Sequence, residues 1–221
     1  MKRRKNIITV AIDAPAAAGA GTLAKKIANN YKLLYLDTGK LYRLIGKMAL
    51  ENKKLTYKFI KRKVSKLKMS KLNNKGLLAD KVAISASLIA KDKNIRKIIK
   101  EFQVRCAYNP PEKFFGSVLD GRDITSVIMK DAMFKFYVTA NLQVRAKRRY
   151  LEFRKLKKKI SYLQVLKSLR NRDKLDKNRR HSPLKKTKDS ILINTSKLSK
   201  KASFLKIKEI MDKKLEINGN I

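Results

Sequence analysis

Five short apolar runs, rich in β-branched residues and each closed by a polar one, punctuate the chain: Ile7–Ile12 before Asp13, Leu33–Leu36 before Asp37, Ser117–Leu119 before Asp120, Phe134–Val138 before Thr139, and Ile191–Ile193 before Asn194. Between them the apolar spacing lengthens toward a helical period, as at Leu23, Ile27 and Tyr31. Short strands alternating with longer helical stretches predict an α/β fold with a mostly parallel sheet flanked by helices. In such sheets ligands sit beyond the carboxyl ends of the strands, so Asp13, Asp37, Asp120 and Asp123 are expected to gather there.

The stretch between about 51 and 100 follows a different pattern. Lys58 to Lys71 is basic with helical spacing, Asn73-Asn74-Lys75-Gly76 reads as a turn, and Ser85 to Lys100 resumes a helix with Leu88, Ile95, Ile98 and Ile99 apolar. Asn109-Pro110-Pro111 ends it. This is a small substrate-side insert in a single domain whose core covers 6–50 and 100–221. Farther on, Tyr150, Leu151, Phe153, Leu156, Ile160, Leu163, Leu166 and Leu169 predict two helices with a turn near Lys159. The cluster Arg170 to Arg180 lacks an apolar stripe and mixes guanidinium forks with carboxylates, which suits an Arg-rich lid over phosphates, at about 170–186.

Composition narrows the chemistry. The formal charge of +40 points to an anionic partner, whether nucleotide, RNA or membrane surface, although a general enrichment in Lys, Ile and Asn accounts for it equally well. Only 15 of the 57 basic residues are Arg, so the Arg positions carry more information than the total. A single Cys106 and a single His181 exclude a disulfide framework or a His/Cys metal site within one chain. Lys2-Arg3-Arg4-Lys5 ahead of an apolar run superficially resembles a signal peptide, but the run is short and Asp13 interrupts it. No run approaches the length of a membrane span. A cytoplasmic protein without a membrane partner is therefore expected.

The segment Ala14-Pro15-Ala16-Ala17-Ala18-Gly19-Ala20-Gly21-Thr22 follows the first strand and precedes the first helix, the setting of a phosphate-binding loop. Small residues let the backbone wrap phosphates, and amides with the helix N-terminus supply partial positive charge. The strict Gly-x-x-x-x-Gly-Lys-[Ser/Thr] pattern is broken twice, by Ala14 at its first Gly and by Ala20 at its Lys.

This loop resembles the Gly-Pro-x-x-x-Gly-Lys-Gly-Thr loop of cytidylate kinases. Leu36-Asp37-Thr38-Gly39-Lys40-Leu41-Tyr42-Arg43 is similar to that family's Asp-[Ser/Thr]-Gly-x-x-Tyr-Arg motif, and Asp120-Gly121-Arg122-Asp123-Ile124 to its Asp-Gly-Arg-Asp motif. Arg172-Asp173-x-x-Asp176-x-Asn178-Arg179 resembles its lid motif, and Val138-Thr139-Ala140 with Arg145-Ala146-x-Arg148-Arg149 its intervening strand and helix. The motifs occur in the family's order over about 7 to 196.

The resemblance implies a P-loop NTPase-like sheet and transfer of the ATP γ-phosphoryl group to CMP or dCMP. It implies Mg²⁺ accompanying ATP rather than held by a dedicated protein site, and a monomer. Residues 14 to 22 would bind ATP. Arg43, Arg122 and Arg179 would hold the acceptor phosphate, since bidentate forks suit phosphate better than a Lys point charge. Ser87, Arg96 and Asp123 would read cytosine, the carboxylate accepting from the N4 amino group. Arg172 and Asp176 would lie near the ribose, with Asp37, Thr38, Gly39 and Tyr42 completing the acceptor site. Arg122, Arg172 and Arg179 are the catalytic candidates.

Two departures bear on rate. Ala20 removes the lysine beside the transferring group, a loss of on the order of 100- to 1,000-fold, with Arg105 and Lys25 as neighbouring compensating cations. Ala14 would be strained if its backbone takes positive φ. A nucleotide-binding relative with impaired catalysis is the alternative; tight binding without turnover marks it. A basic RNA-associated protein ranks below both, because it leaves four motifs unexplained and predicts RNA binding that survives loss of Arg122 and Asp123.

Overall fold

The computed structural model describes residues 6–52, 54–157 and 159–217; the basic Lys2 to Lys5 segment lies outside the described residues. Five strands, β1 (Ile8–Asp13), β2 (Leu34–Asp37), β3 (Gly116–Gly121), β4 (Phe134–Thr139) and β5 (Ile191–Asn194), form one sheet in the order β2-β3-β1-β4-β5. Every neighbouring pair is parallel. Parallel strands need crossover connections, and these are supplied by α1 (Ala20–Asn30), α2 (Thr38–Glu51), α5 (Lys93–Tyr108), α6 (Leu142–Lys155) and the elements between them.

Side chains alternate across the sheet. Val10, Ile12, Val118, Phe136 and Ile193 pack with Leu23 and Ile27 of α1 and with Ile207, Met211 and Leu215 of the last helix, α8 (Lys200–Ile217). Ala11, Leu36 and Leu119 face the opposite layer, Leu41 and Ile45 of α2 and Ile99 and Phe102 of α5. A satellite cluster joins Ala146 and Phe153 of α6, Val165 and Leu169 of α7 (Tyr162–Asn178), and Ala16 of the phosphate-loop segment.

The insert departs from the expected pattern. The basic helix stops early as α3 (Tyr57–Ser65), followed by two 3₁₀ turns, Met69–Asn73 and Lys75–Leu78. The expected helix from Ser85 to Lys100 is two helices, because Asp92 caps α5 by accepting from the amides of Asn94 (2.8 Å) and Ile95 (3.0 Å). That break changes the buried face: Leu88, on α4 (Asp80–Ile89), is 61% exposed rather than core, while Val82 and Ala86 turn inward. Gly46 makes this packing possible. A Cβ there would stand 2.8 Å from the Ala86 amide nitrogen, so α2 and α4 approach backbone to backbone.

The expected lid also differs in form, since Arg170 to Asn178 continues α7 as regular helix and only 179 onward leaves it. A capping box at Ser161 and Gln164 starts that helix. Among the described residues, no helix is long and apolar enough to cross a membrane.

Candidate active site

Strand register brings the chemistry together. Asp37 pairs with Asp120, and Asp13 with Gly121, so the polar residues that close three apolar runs lie side by side at one edge of the sheet.

The phosphate-loop segment runs from β1 into α1. Gly19, the N-cap, has φ 96 and Ala17 has φ 62, both left-handed. Ala14 is not in that region; it is buried, and its amide donates to the Gly121 carbonyl at 3.1 Å. The condition for strain at Ala14 is therefore not met, and the left-handed alanine is Ala17. A left-handed alanine costs about 1–2 kcal/mol, so tertiary contacts must hold it. Two do so from either side. Arg145 donates to the Ala16 carbonyl at 3.1 Å, and the Thr195 hydroxyl to the Ala18 carbonyl at 3.0 Å. Among the described residues, nothing takes the amides of Ala16, Ala17 or Gly19, which with the first turn of α1 form a cradle of unpaired donors. Thr22 is exposed in that first turn.

The acids divide into roles. Asp13 is spent on structure: its carboxylate accepts from the Ile124 amide (2.7 Å), the Thr125 amide (2.9 Å) and the Thr125 hydroxyl (2.6 Å), fixing the single π-turn Ile124–Ile128. Burial nonetheless raises its pKa to about 6. Asp120 is half-buried, with its Oδ1 sealed from solvent; desolvation and the Asp37 charge push its pKa up to about 7 against a bond from Tyr35 and the Arg122 charge. Its Oδ1 has no partner among the described residues. Asp37 instead caps α2, accepting from the Lys40 amide at 3.2 Å, and Thr38 donates to the Asp120 carbonyl at 2.7 Å. Gly121 has no room for a side chain, since a Cβ would lie 2.5 Å from the Thr38 hydroxyl oxygen. At Gly39 the corresponding distance to Asp37 Oδ1 is 3.2 Å.

Four arginines converge beyond this edge. Arg122 donates from Nε to Asp176 at 2.7 Å, and against the cost of burial that carboxylate keeps its pKa high. Arg172, on α7, has a buried Nε without a hydrogen-bond partner among the described residues. Burial, then the charges of Arg122, Arg43 and Arg149, lower its pKa to about 10 despite Asp176. Arg43 donates to the Leu77 carbonyl at 2.8 Å. Arg179 pairs with Asp123 at 3.5 Å and donates to the Ser182 carbonyl; burial lowers its pKa more than Asp123 raises it. Like charges held this close and partly desolvated make a strong anion site.

Beside them, Asp123 also pairs with Arg96, whose guanidinium lies 5.6 Å from the centre of the Tyr42 ring. Burial pushes the Tyr42 hydroxyl up to about 12. Ser87 is not joined to this pair; its hydroxyl donates to the Ala83 carbonyl of its own helix at 3.1 Å. Arg105 is turned away from the phosphate loop, donating to the Ser65 carbonyl at 3.1 Å, which removes it as a substitute for the missing lysine. Lys25 is exposed on α1.

Sequence reasoning missed Arg145, Thr195 and Tyr35 as parts of the site. The available signals, both for Arg145 alone, were that Arg is scarce in a Lys-rich chain and that Arg145 opens the Arg145-Ala146-x-Arg148-Arg149 motif.

A family model described as "Cytidylate kinase" matches residues 10–214. The chain is 42% identical over 201 residues to a protein named cytidylate kinase from Bartonella tribocorum, covering 88% of this chain and 90% of that one. It is 38% identical over 216 residues to a cytidylate kinase from Clostridium botulinum, covering 93% and 95%. Among solved structures, one titled as an uncharacterized protein from Eubacterium ventriosum superposes with a TM-score of 0.56 at 16% identity over 93% of this chain and 98% of that one, a likeness of fold.

Proposed function

The chain belongs to the cytidylate kinase family, and from that premise we infer that it transfers the γ-phosphoryl group of ATP to CMP or dCMP, giving ADP and CDP or dCDP. An acceptor phosphate oxygen forms the new bond to γ-phosphorus as the bond to the β,γ-bridging oxygen breaks, and ADP carries away the charge. Such transfer needs positioning and charge neutralisation more than covalent help from the protein.

The observation that carries this reading is the convergence of Arg43, Arg122, Arg172 and Arg179, in which Arg172 Nε and Arg179 Nη2 have no hydrogen-bond partner among the described residues, beside a cradle of loop amides. Residues 14 to 22 hold the ATP phosphates. Arg43, Arg122 and Arg179 grip the acceptor phosphate, and Arg172 and Asp176 reach the ribose. Asp123, oriented by Arg96, accepts from the cytosine N4 amino group, and uracil, with an acceptor there, is rejected. Ser87 joins this set only after its hydroxyl turns from Ala83. Asp37, Thr38, Gly39 and Tyr42 shape the wall. The insert at about 51–100 takes the acceptor, and the lid at about 170–186 covers both nucleotides.

Among the described residues, no cluster of three or more His, Cys, Asp or Glu side chains could hold a metal alone. The solvent-shielded Oδ1 of Asp120, without a partner among the described residues, next to Asp37 and near the start of α1, fits a Mg²⁺ ion brought by the nucleotide. Asp120, Asp37 and Thr22 would supply its protein-side oxygens, and the ion would neutralise phosphate charge. A monomer in the cytoplasm is the working form we infer; every group invoked comes from one chain.

The test is coupled measurement of ADP formation with ATP, Mg²⁺ and CMP, UMP or AMP. Turnover confined to cytosine nucleotides, falling about 100-fold or more in Arg122→Gln, supports the assignment. Equal rates with all three acceptors, or none above ATP hydrolysis alone, would overturn it.

A further inference from the structure

Arg145 is 5% exposed, yet it makes four hydrogen bonds to three separate parts of the molecule. Its Nε donates to the Ala140 carbonyl (2.8 Å), which fixes the side chain at the end of β4. Nη1 donates to the Ala16 carbonyl of the phosphate loop (3.1 Å) and to Asp173 Oδ1 on α7 (3.1 Å). Nη2 donates to Asp173 Oδ2 (2.6 Å). One buried guanidinium therefore touches the donor loop and the lid helix at once.

We propose that Arg145 is a positioning residue that couples lid closure to the shape of the lysine-less donor loop, through Asp173 on one side and the Ala16 carbonyl on the other. The proposal rests on the kinase reading given above.

Three physical points carry it. The loop carbonyl that Arg145 holds immediately precedes left-handed Ala17, so this bond fixes the backbone at the point where it is strained. Asp173 is 16% exposed at its side chain and is held by both ends of the guanidinium fork, a geometry Lys cannot reproduce. Finally, Asp173 and Asp176 lie three apart on α7 and bind different arginines, Arg145 and Arg122. When the lid lifts, the first pair releases the donor loop as the second releases the acceptor arginine. Thr195 pins the Ala18 carbonyl from outside the lid and is unaffected, so Arg145 is the polar link between loop and lid, beside the apolar packing of Ala16 against Val165 and Leu169 of α7.

Arg145→Gln, Arg145→Lys, Asp173→Asn and the double variant Arg145→Gln/Asp173→Asn test this in steady-state kinetics, CMP binding by calorimetry, and tryptic cleavage of the lid with and without ATP. The expected result for Arg145→Gln is kcat/KM for ATP lowered on the order of 100-fold, with CMP affinity within about twofold. ATP should no longer slow lid cleavage, and the double variant should be no worse than Arg145→Gln alone. Should Arg145→Gln fail to fold, Arg145→Lys, which keeps the charge but not the fork, is expected to show the same split at smaller size.

Independent, multiplying losses, parallel loss of ATP and CMP binding, or ATP protection persisting in folded Arg145 variants would overturn the proposal. Absence of phosphotransfer in the parent protein would remove the kinase reading instead; loss of ATP protection on mutating Arg145 would still register the coupling.

Discussion

At the scale of single residues, the site is a set of side chains held in states that water would not favour. Ala17 is left-handed, and replacing it with Gly is expected to raise unfolding free energy by about 1 kcal/mol, the strain relieved exceeding the entropy lost. Urea denaturation checks this, and a destabilised variant would mean that the loop is not strained there. Asp120, raised from its ordinary value of 3.8 to about 7, binds its proton more tightly in the folded state than in the unfolded one. Its protonation therefore stabilises the nucleotide-free protein fully below about pH 4, and that contribution fades as pH climbs to about 7. Asp120→Asn should gain stability relative to the parent protein on going from pH 5 to pH 8, measured as the difference in Tm at the two pH values. Ala20→Lys is expected to raise kcat on the order of 100-fold if the added ammonium reaches the transferring group, and unchanged kcat would show that other cations already meet that need.

At the scale of elements, the insert depends on how closely two helices approach. A methyl at Gly46 would press on the Ala86 backbone, so Gly46→Ala is expected to cost about 1–3 kcal/mol despite alanine's better helix propensity. Because α4 and the preceding turn carry Ser87 and the Leu77 carbonyl that holds Arg43, KM for CMP should rise while KM for ATP stays near its parent value. A rise in both would show that the insert does not act alone on the acceptor. The five strands, α1 and the α6–α7 pair were legible because alternation and helical spacing record which side of each element meets the core. The break at Asp92 was not, since a single capping side chain with an apolar stretch on either side leaves the same periodicity as a continuous helix.

Across the whole molecule, charge is spread far more widely than the site. A net charge of +40 attracts nucleotides at long range, and salt screens that attraction over about 8–10 Å. Raising ionic strength from about 50 to 200 mM is expected to lower kcat/KM for CMP several-fold with little change in kcat, since the desolvated arginine pairs are screened less than exposed lysines. A fall in kcat of the same size would place the salt effect on the site itself.

The sequence by itself determined the strand-helix alternation, the gathering of Asp37, Asp120 and Asp123 at the strand ends, and the arginine-bearing motifs. Each of these is written in local spacing or in a choice of Arg over Lys. Only tertiary structure decided that Asp13 serves the π-turn, that Ala17 rather than Ala14 bears the strain, and that Arg145 and Thr195 hold the loop. Those contacts join residues as far as 129 and 177 positions apart, and no local pattern records which carbonyl a distant donor will meet once the elements have packed.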